Sequence, residues 1–139
     1  MRPSWYDTFF EIAEVMSRRS TCPRLNTAAV IVSGDNRILS SGYNGSPEGS
    51  PHCDDAGCII EDNHCIRAVH AELNALLYAA RRGIAIEGST MFILHNPCVR
   101  CAIAIAQSGI WYVYYKHEYG DTAGVERLNS LNVYVNYNQ

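Results

Sequence analysis

The chain has 139 residues, of which 47% are hydrophobic and 18% are charged, and its formal net charge is −3. This size and composition fit one domain with a sizeable core, and we expect a single domain over residues 1–139. No apolar run approaches the roughly 18 residues of a membrane span, and no basic stripe suited to polynucleotide phosphates is visible. We therefore expect no membrane association and no polynucleotide partner.

The start of the chain and its cysteine content indicate a cytoplasmic protein. Residues 1–7 contain neither the apolar segment nor the small-residue cleavage site of a signal peptide. Because the cytosol keeps thiols reduced, the six cysteines are explained better as metal ligands than as disulfides.

Hydrophobic spacing predicts helices that alternate with strands. Ser4 can cap a first helix over residues 5–16, and an apolar run at 28–32 is expected to pair with 37–42 as a hairpin. Further helices are predicted over 69–82, 98–108 and 121–131, and further strands over 89–94, 110–115 and 132–137. The 69–82 helix is apolar on nearly all sides, so we expect it to be buried. The alternation predicts a three-layer α/β domain.

Two short motifs supply the ligands of a catalytic metal site. The first is His70-Ala71-Glu72, and the second is Pro97 followed by Cys98 and Cys101. One imidazole and two thiolates leave the fourth corner of a tetrahedral zinc open for water, whereas a structural zinc has four protein ligands. A structural zinc knot or a redox pair is the alternative, but H-x-E before P-C-x-x-C is the pattern of zinc deaminases, with Glu72 as proton carrier.

Further soft or borderline ligands lie outside these motifs, most of them in the long polar segment 46–66. They are Cys22, His52, Cys53, Cys58, His64 and Cys65. We expect a second, closed zinc site here, because such crowding in a cytosolic loop is explained most simply by a metal. Cys22, Cys53 and Cys58 are favoured, with either His64 or Cys65 as the fourth ligand. His52 is the least favoured, and free thiols are the alternative.

Three further segments make the chain similar to one branch of the zinc deaminases. Residues 18–22, 41–45 and 64–67, read with the His70 motif, resemble the deoxycytidylate (dCMP) deaminases of the cytidine/deoxycytidylate deaminase superfamily. The resemblance runs from about Trp5 to Val135. The dipeptide His95-Asn96 departs from the family pattern, and we expect it to alter the wall of the pocket without disturbing the zinc site.

The resemblance implies a fold and a reaction. The fold is the α/β/α cytidine deaminase-like fold, with a central mixed sheet of about five strands. The reaction is hydrolytic deamination of dCMP to dUMP and ammonia, which supplies dUMP for thymidylate synthesis. A catalytic zinc would lower the pKa of its bound water, and Glu72 would act as base and then as acid.

The resemblance also implies nucleotide contacts. Asn44 would hold the sugar hydroxyl, and Arg24 and Arg67 are candidates for the 5′-phosphate because guanidinium binds it in bidentate fashion. Either arginine could instead form a surface ion pair. Tyr119 is expected to pack on the base, with packing against the core edge as the alternative.

Regulation and assembly are implied by the same resemblance. Family members are commonly homohexamers, activated by dCTP and inhibited by dTTP with Mg²⁺. The turn formed by Gly42, Tyr43, Asn44 and Gly45 would help to hold the effector, with Gly45 as a backbone contact because it lacks a Cβ.

Two other classes of function remain open. One is deamination of another base or nucleotide, such as tRNA adenosine or dCTP. A deaminase that acts on tRNA is expected to have a basic surface, which the net charge of −3 disfavours. The other is a binding module that has no catalytic activity and whose fold is held together by zinc. The presence of Glu72 argues against it, because such a module has no chemical need for that carboxylate.

Overall fold

The computed structural model describes residues 1–61, 64–65 and 67–138, with only the backbone of His64 included. The helices are α1 (Trp5–Ser17), α2 (Cys53–Ala56), α3 (Ala71–Arg82), α4 (Val99–Gln107) and α5 (Ala123–Ser130). The strands are β1 (Ala28–Val32), β2 (Ile38–Tyr43), β3 (Ile60–Glu61), β4 (His64–Cys65), β5 (Thr90–His95), β6 (Tyr112–His117) and β7 (Tyr134–Tyr137). Among the described residues, no helix is long and apolar enough to cross a bilayer.

One mixed sheet forms the centre of the fold, with strand order β2-β1-β5-β6-β7. The β2-β1 and β1-β5 pairs are antiparallel, and the β5-β6 and β6-β7 pairs are parallel. The short strands β3 and β4 form a separate two-stranded antiparallel sheet. Helix α1 packs on one face of the sheet, and α3, α4 and α5 cover the other. The predicted three-layer arrangement and the mixed five-stranded sheet are confirmed.

Helix α1 begins where the sequence predicts. The Ser4 side chain accepts a hydrogen bond from the Asp7 N–H at 3.1 Å, which satisfies one of the unpaired amides of the first turn. Phe9 and Phe10 are buried from this helix and contact Phe92 of β5 at ring-centroid distances of 5.2 and 5.3 Å. Helix α1 is therefore amphipathic and packs its apolar side on one face of the sheet.

The prediction that the 69–82 helix is buried on nearly all sides is wrong. The side that faces the sheet carries the small residues Ala71, Ala75 and Ala79, which let the helix approach closely. On the opposite side Leu77 is 57% exposed and Tyr78 is 46% exposed. The helix lies in an outer layer, where only one face meets the sheet, so its overall apolar composition overestimates its burial.

Gly42 is required where β2 meets α3. A methyl group at this position would lie 2.6 Å from the Ala71 carbonyl oxygen and 2.6 Å from the Ala75 amide nitrogen. We expect Gly42→Ala to lower the free energy of unfolding by about 3 kcal/mol or more, because the clash is with backbone and cannot be relieved by a rotamer change. Urea denaturation measures this. The matched control is the exposed Gly34→Ala, where no atom lies within 4 Å of the added carbon, and an equal loss in both variants would contradict the packing role.

Candidate active site

His70, Cys98 and Cys101 lie together at the starts of two helices. The His70 Nδ1 atom is 3.3 Å from the Cys101 Sγ and 3.6 Å from the Cys98 Sγ. All three atoms lie within 4.8 Å of one another. Zn–S and Zn–N bonds of about 2.3 and 2.0 Å in a tetrahedron place S and N about 3.5 Å apart. The three residues therefore fit a zinc ion with a fourth position left for a non-protein ligand.

The backbone explains how these ligands converge. His70 and Cys98 are the N-cap residues of α3 and α4, with extended backbone, and neither side chain caps its own helix. Both helices therefore begin later than the predicted 69 and 98. Cys101 lies in the first turn of α4 and is fully buried. Because the His70 imidazole and the Cys98 thiol do not cap their own helices, both groups point to a common centre. This centre lies near two helix N-termini, which favour anions.

The protonation pattern of the three residues suits a cation. A hydrogen bond from the Cys101 thiol, against the opposing effect of burial, lowers the pKa of Cys98 to about 3. The hydrogen bond to Cys98 raises the pKa of His70, and the same neighbour together with burial raises the pKa of Cys101. Cys98 therefore favours the thiolate form that binds zinc, and a bound zinc would displace the proton of any ligand that still carries one.

Glu72 lies beside this set but outside it. It is in the first turn of α3, only 7% exposed, and its carboxyl contacts the Cys101 thiol. Burial raises the pKa of Glu72, and a raised pKa suits a carboxyl group to general acid–base catalysis. His70 precedes the helix that carries Glu72, so the angular spacing of helical residues does not relate these two side chains. Glu72 nonetheless faces the same cleft.

A cleft of about 570 Å³ opens over these residues. His70, Glu72 and Cys98 line one part of it, and Arg24, Asn44 and Tyr119 line other parts. The structure thus brings three of the four predicted nucleotide contacts into the cleft. Among the described residues Arg67 is not part of the lining, and its Nε donates a hydrogen bond to the Gly57 carbonyl oxygen at 2.9 Å.

The Asn44 side chain also has a structural role. Its Oδ1 accepts a hydrogen bond from the Thr27 N–H at 3.1 Å, and its Nδ2 donates to the Leu25 carbonyl oxygen. The carboxamide therefore holds the 25–27 segment, which lines the cleft. Each of its polar atoms has capacity for one more hydrogen bond.

The other residues of the predicted effector turn are engaged within the fold. Gly45 exchanges backbone hydrogen bonds with Val69 at 3.2 and 2.7 Å, and the Tyr43 carbonyl oxygen accepts one from Asn74 at 2.7 Å. Gly42 faces α3, as described above. Asn44 is the member of the turn that lines the cleft among the described residues.

A second group of potential ligands joins the 46–69 segment to the body of the protein. Its members are Cys22, Cys53, Cys58 and Cys65, whose sulfur atoms all lie within 4.8 Å of one another. Burial opposes ionisation of Cys65, yet backbone N–H groups of Ala68 and Arg67 lower its pKa to about 6. The His64 side chain lies outside the described residues. His52 instead has its Nδ1 3.0 Å from the Thr21 hydroxyl.

Thr27 lies outside every motif of the sequence, and His95 and Asn96 were predicted only to alter the wall of the pocket. All three line the cleft. Thr27 precedes β1, whereas His95 and Asn96 stand at the carboxyl end of β5. For His95 and Asn96, the position at the carboxyl end of a strand beside a metal motif is the signal that could have found them, because the sites of open α/β sheets form at such ends.

Comparison with known proteins decides the family. The sequence model described as the cytidine and deoxycytidylate deaminase zinc-binding region matches residues 3–117. The chain belongs to the cytidine and deoxycytidylate deaminase family. This confirms the resemblance drawn from the sequence.

Relatives within this deaminase family cover most of the chain. The ComE operon protein 2 of Bacillus subtilis is 43% identical over 118 residues, which are 85% of this chain and 62% of the relative. The deoxycytidylate deaminase of Mycobacterium phage D29 is 38% identical over an alignment of 129 positions, which covers 84% of this chain and 98% of the relative. The chain therefore spans less than two thirds of the Bacillus relative but nearly all of the phage relative.

A solved structure agrees with both the family and the fold. The dCMP deaminase of cyanophage S-TIM5, crystallised in complex with dCMP and dUMP, is 37% identical to this deaminase-family chain. The similarity covers 97% of each chain with a TM-score of 0.86. The expected cytidine deaminase-like fold is confirmed.

Proposed function

We propose that the chain catalyses the zinc-dependent hydrolytic deamination of dCMP to dUMP and ammonia. The observation that carries this proposal is the position of Glu72, a buried carboxyl in the cleft beside His70, Cys98 and Cys101. Three ligands and an adjacent proton carrier are what hydrolytic deamination requires. The S-TIM5 relative, whose structure holds dCMP and dUMP, supports this choice of substrate.

The roles of the residues follow from their chemistry. His70, Cys98 and Cys101 would hold the zinc, which when bound acts as a Lewis acid toward water. Glu72 would take one proton from the water as the water oxygen bonds to C4, and would deliver that proton to N3 of the base. It would then carry the remaining hydroxyl proton to the amine, so that the C4–N bond breaks, ammonia leaves and the C4 carbonyl forms. The raised pKa of Glu72 suits both steps, because the carboxyl accepts and returns a proton without a large free-energy cost.

We assign the remaining cleft residues to the rest of the nucleotide. Arg24 is proposed to bind the 5′-phosphate, a group that guanidinium recognises well. Asn44 is proposed to bind the sugar hydroxyl with the hydrogen-bonding capacity left on its carboxamide, and Tyr119 to pack on the base. Arg67 is a weaker candidate for the phosphate, since its Nε is bonded to Gly57.

A second, structural zinc is proposed in the cluster of Cys22, Cys53, Cys58 and Cys65. Four sulfur atoms within 4.8 Å of one another match a closed Cys₄ site. The described residues of the segment that carries three of them form only short elements, and Ile59 and Ile60 are exposed there. Because these two large apolar side chains are not buried, a metal would supply free energy that orders the segment.

Replacement of Cys58 tests the second metal. Cys58→Ser is expected to lower bound zinc from two to one per chain and to speed cleavage within residues 46–69 by at least about tenfold, since the segment loses its cross-link. Zinc analysis and limited proteolysis measure this. His52→Ala is the matched control, because the His52 ring is bonded to Thr21 outside the cluster. Equal zinc content in Cys58→Ser and the unmodified chain would contradict the site.

We also propose, from the family resemblance, a homohexamer activated by dCTP and inhibited by dTTP with Mg²⁺. Such regulation requires that each effector bind the active and inactive states with different affinities. The measurement is the dependence of dCMP turnover on each triphosphate, with sedimentation in parallel. Turnover insensitive to both triphosphates would remove this part of the proposal.

The substrate is tested by ammonia release from dCMP, deoxycytidine, dCTP, cytosine and a tRNA substrate in parallel. The proposal predicts turnover of dCMP, with deoxycytidine much poorer because it lacks the 5′-phosphate. Preference for dCTP or tRNA would assign a different deaminase. A zinc-loaded chain that turns over none of them would indicate a binding module.

A further inference from the structure

Asn96 connects two parts of the cleft that are distant in sequence. Its Oδ1 accepts a hydrogen bond from the Tyr119 N–H at 2.6 Å, and its Nδ2 donates one to the Asp121 carbonyl oxygen at 2.9 Å. Asn96 is 9% exposed and directly precedes the Pro97-Cys98 turn. One carboxamide therefore ties the segment after β6 to the turn that carries a proposed zinc ligand.

His95 contacts the same tyrosine from its other side. Its ring stands edge-on to the Tyr119 ring, with centroids 6.0 Å apart and planes at 74°. The His95 Nδ1 is 3.0 Å from the Thr27 hydroxyl, and the Thr27 N–H is held by Asn44. Tyr119 is thus held through its backbone by Asn96, and its ring lies against His95, whose Nδ1 is within hydrogen-bond distance of Thr27.

The segment from Tyr119 to Asp121 is anchored again where α5 begins. Gly124 approaches the Pro97 turn so closely that a Cβ would lie 1.9 Å from the Pro97 carbonyl oxygen. The segment is therefore fixed to one turn at both of its ends. Tyr119, Gly120 and Asp121 all line the cleft, so this part of the wall takes its position from residues 96 and 97.

We propose that Asn96 is a positioning residue that fixes Tyr119 as the wall of the base subsite. This inference rests on the proposed function, because it assumes that a pyrimidine nucleotide occupies the cleft. Asn96 acts on the substrate through Tyr119, while zinc binding and proton transfer stay with the residues assigned above. Loss of Asn96 therefore weakens nucleotide binding and leaves the chemical step nearly unchanged.

A double-mutant cycle between Asn96 and Tyr119 tests this proposal. Asn96→Ala is expected to raise KM for dCMP by about tenfold and to change kcat by less than about twofold, since two hydrogen bonds to the wall are lost. Tyr119→Ala is expected to raise KM at least as much. The double variant should be no worse than Tyr119→Ala, because Asn96 has nothing to position once the ring is absent. Additive effects on KM would overturn the proposal.

A conservative variant separates the contact with Tyr119 from that with Asp121. Asn96→Asp keeps an acceptor for the Tyr119 N–H and loses the donor to the Asp121 carbonyl, so KM should stay within about threefold of the unmodified value. This variant also serves if Asn96→Ala fails to fold. KM raised as far as in Asn96→Ala would show that the Asp121 contact dominates and would overturn the assignment. Asn136→Ala is the control, because the Asn136 amide bonds to Tyr134 on β7.

Binding of dUMP by calorimetry distinguishes failure of this inference from failure of the proposed function. If the unmodified chain binds dUMP but does not deaminate dCMP, only the proposed function is contradicted. The double-mutant cycle is then carried out on the dissociation constants of dUMP. The same non-additivity between Asn96 and Tyr119 is expected there. An unmodified chain that does not bind dUMP overturns both.

Discussion

Glu72→Gln is expected to lower kcat for dCMP by at least about 1000-fold while both metal sites keep their zinc. Glutamine has the size and shape of glutamate, but its amide cannot take a proton from water or return it to the base. Glu72 lies outside the three atoms that form the proposed metal site. The chemical step should therefore be lost while the site remains intact.

Turnover and zinc content of the same preparation check this prediction. Glu87→Gln is the matched control, because it makes the same change at an exposed position outside the cleft and should leave kcat unaltered. Loss of zinc together with activity would show that Glu72 is a ligand. Retention of activity would show that another group carries the proton.

Cys101→Ser should remove the catalytic zinc and reduce turnover by at least about 1000-fold. Cys101 is fully buried between His70 and Cys98, and a serine hydroxyl is a poor substitute for a thiolate at zinc. Two remaining ligands would hold the ion too weakly to survive dialysis. The second cluster does not include Cys101, so zinc content should fall from two to one per chain.

Comparison with Cys58→Ser distinguishes the two metal sites. Both variants are expected to lose one zinc per chain, but Cys101→Ser should lose nearly all turnover and keep the 46–69 segment resistant to protease. Cys58→Ser should show faster cleavage and retain its catalytic zinc. A Cys101→Ser variant that keeps two zinc ions per chain would contradict the proposed ligand set.

The grouping of His70, Cys98 and Cys101 was predictable because its signal is local. Cys98 and Cys101 are three residues apart at the start of one helix, and His70 directly precedes another, so each motif fixes its own geometry. The strands were predictable from hydrophobic spacing for the same reason, whereas the mixed five-stranded sheet was implied by the family resemblance. The helix starts were less so, because an N-cap residue and a first-turn residue look alike in sequence.

Features that depend on several segments were not predictable. The exposure of Leu77 reflects which face of α3 meets the sheet, and the engagement of Gly42 with α3 depends on strand pairing. The contacts of Asn96 with Tyr119 and Asp121 join residues more than 20 positions apart in the chain. No short pattern records such contacts, because they arise only when the sheet has assembled.

A reaction of the zinc-loaded chain with dCMP in ¹⁸O-labelled water addresses the proposed activity itself. If Glu72 and the three ligands perform hydrolytic deamination, dUMP and ammonia should form in equal amounts, with one ¹⁸O atom at C4 of the uracil ring. Mass spectrometry and an ammonia assay measure both products. Unchanged dCMP in the presence of a chain that holds its catalytic zinc, or dUMP without the label, would contradict the proposed reaction.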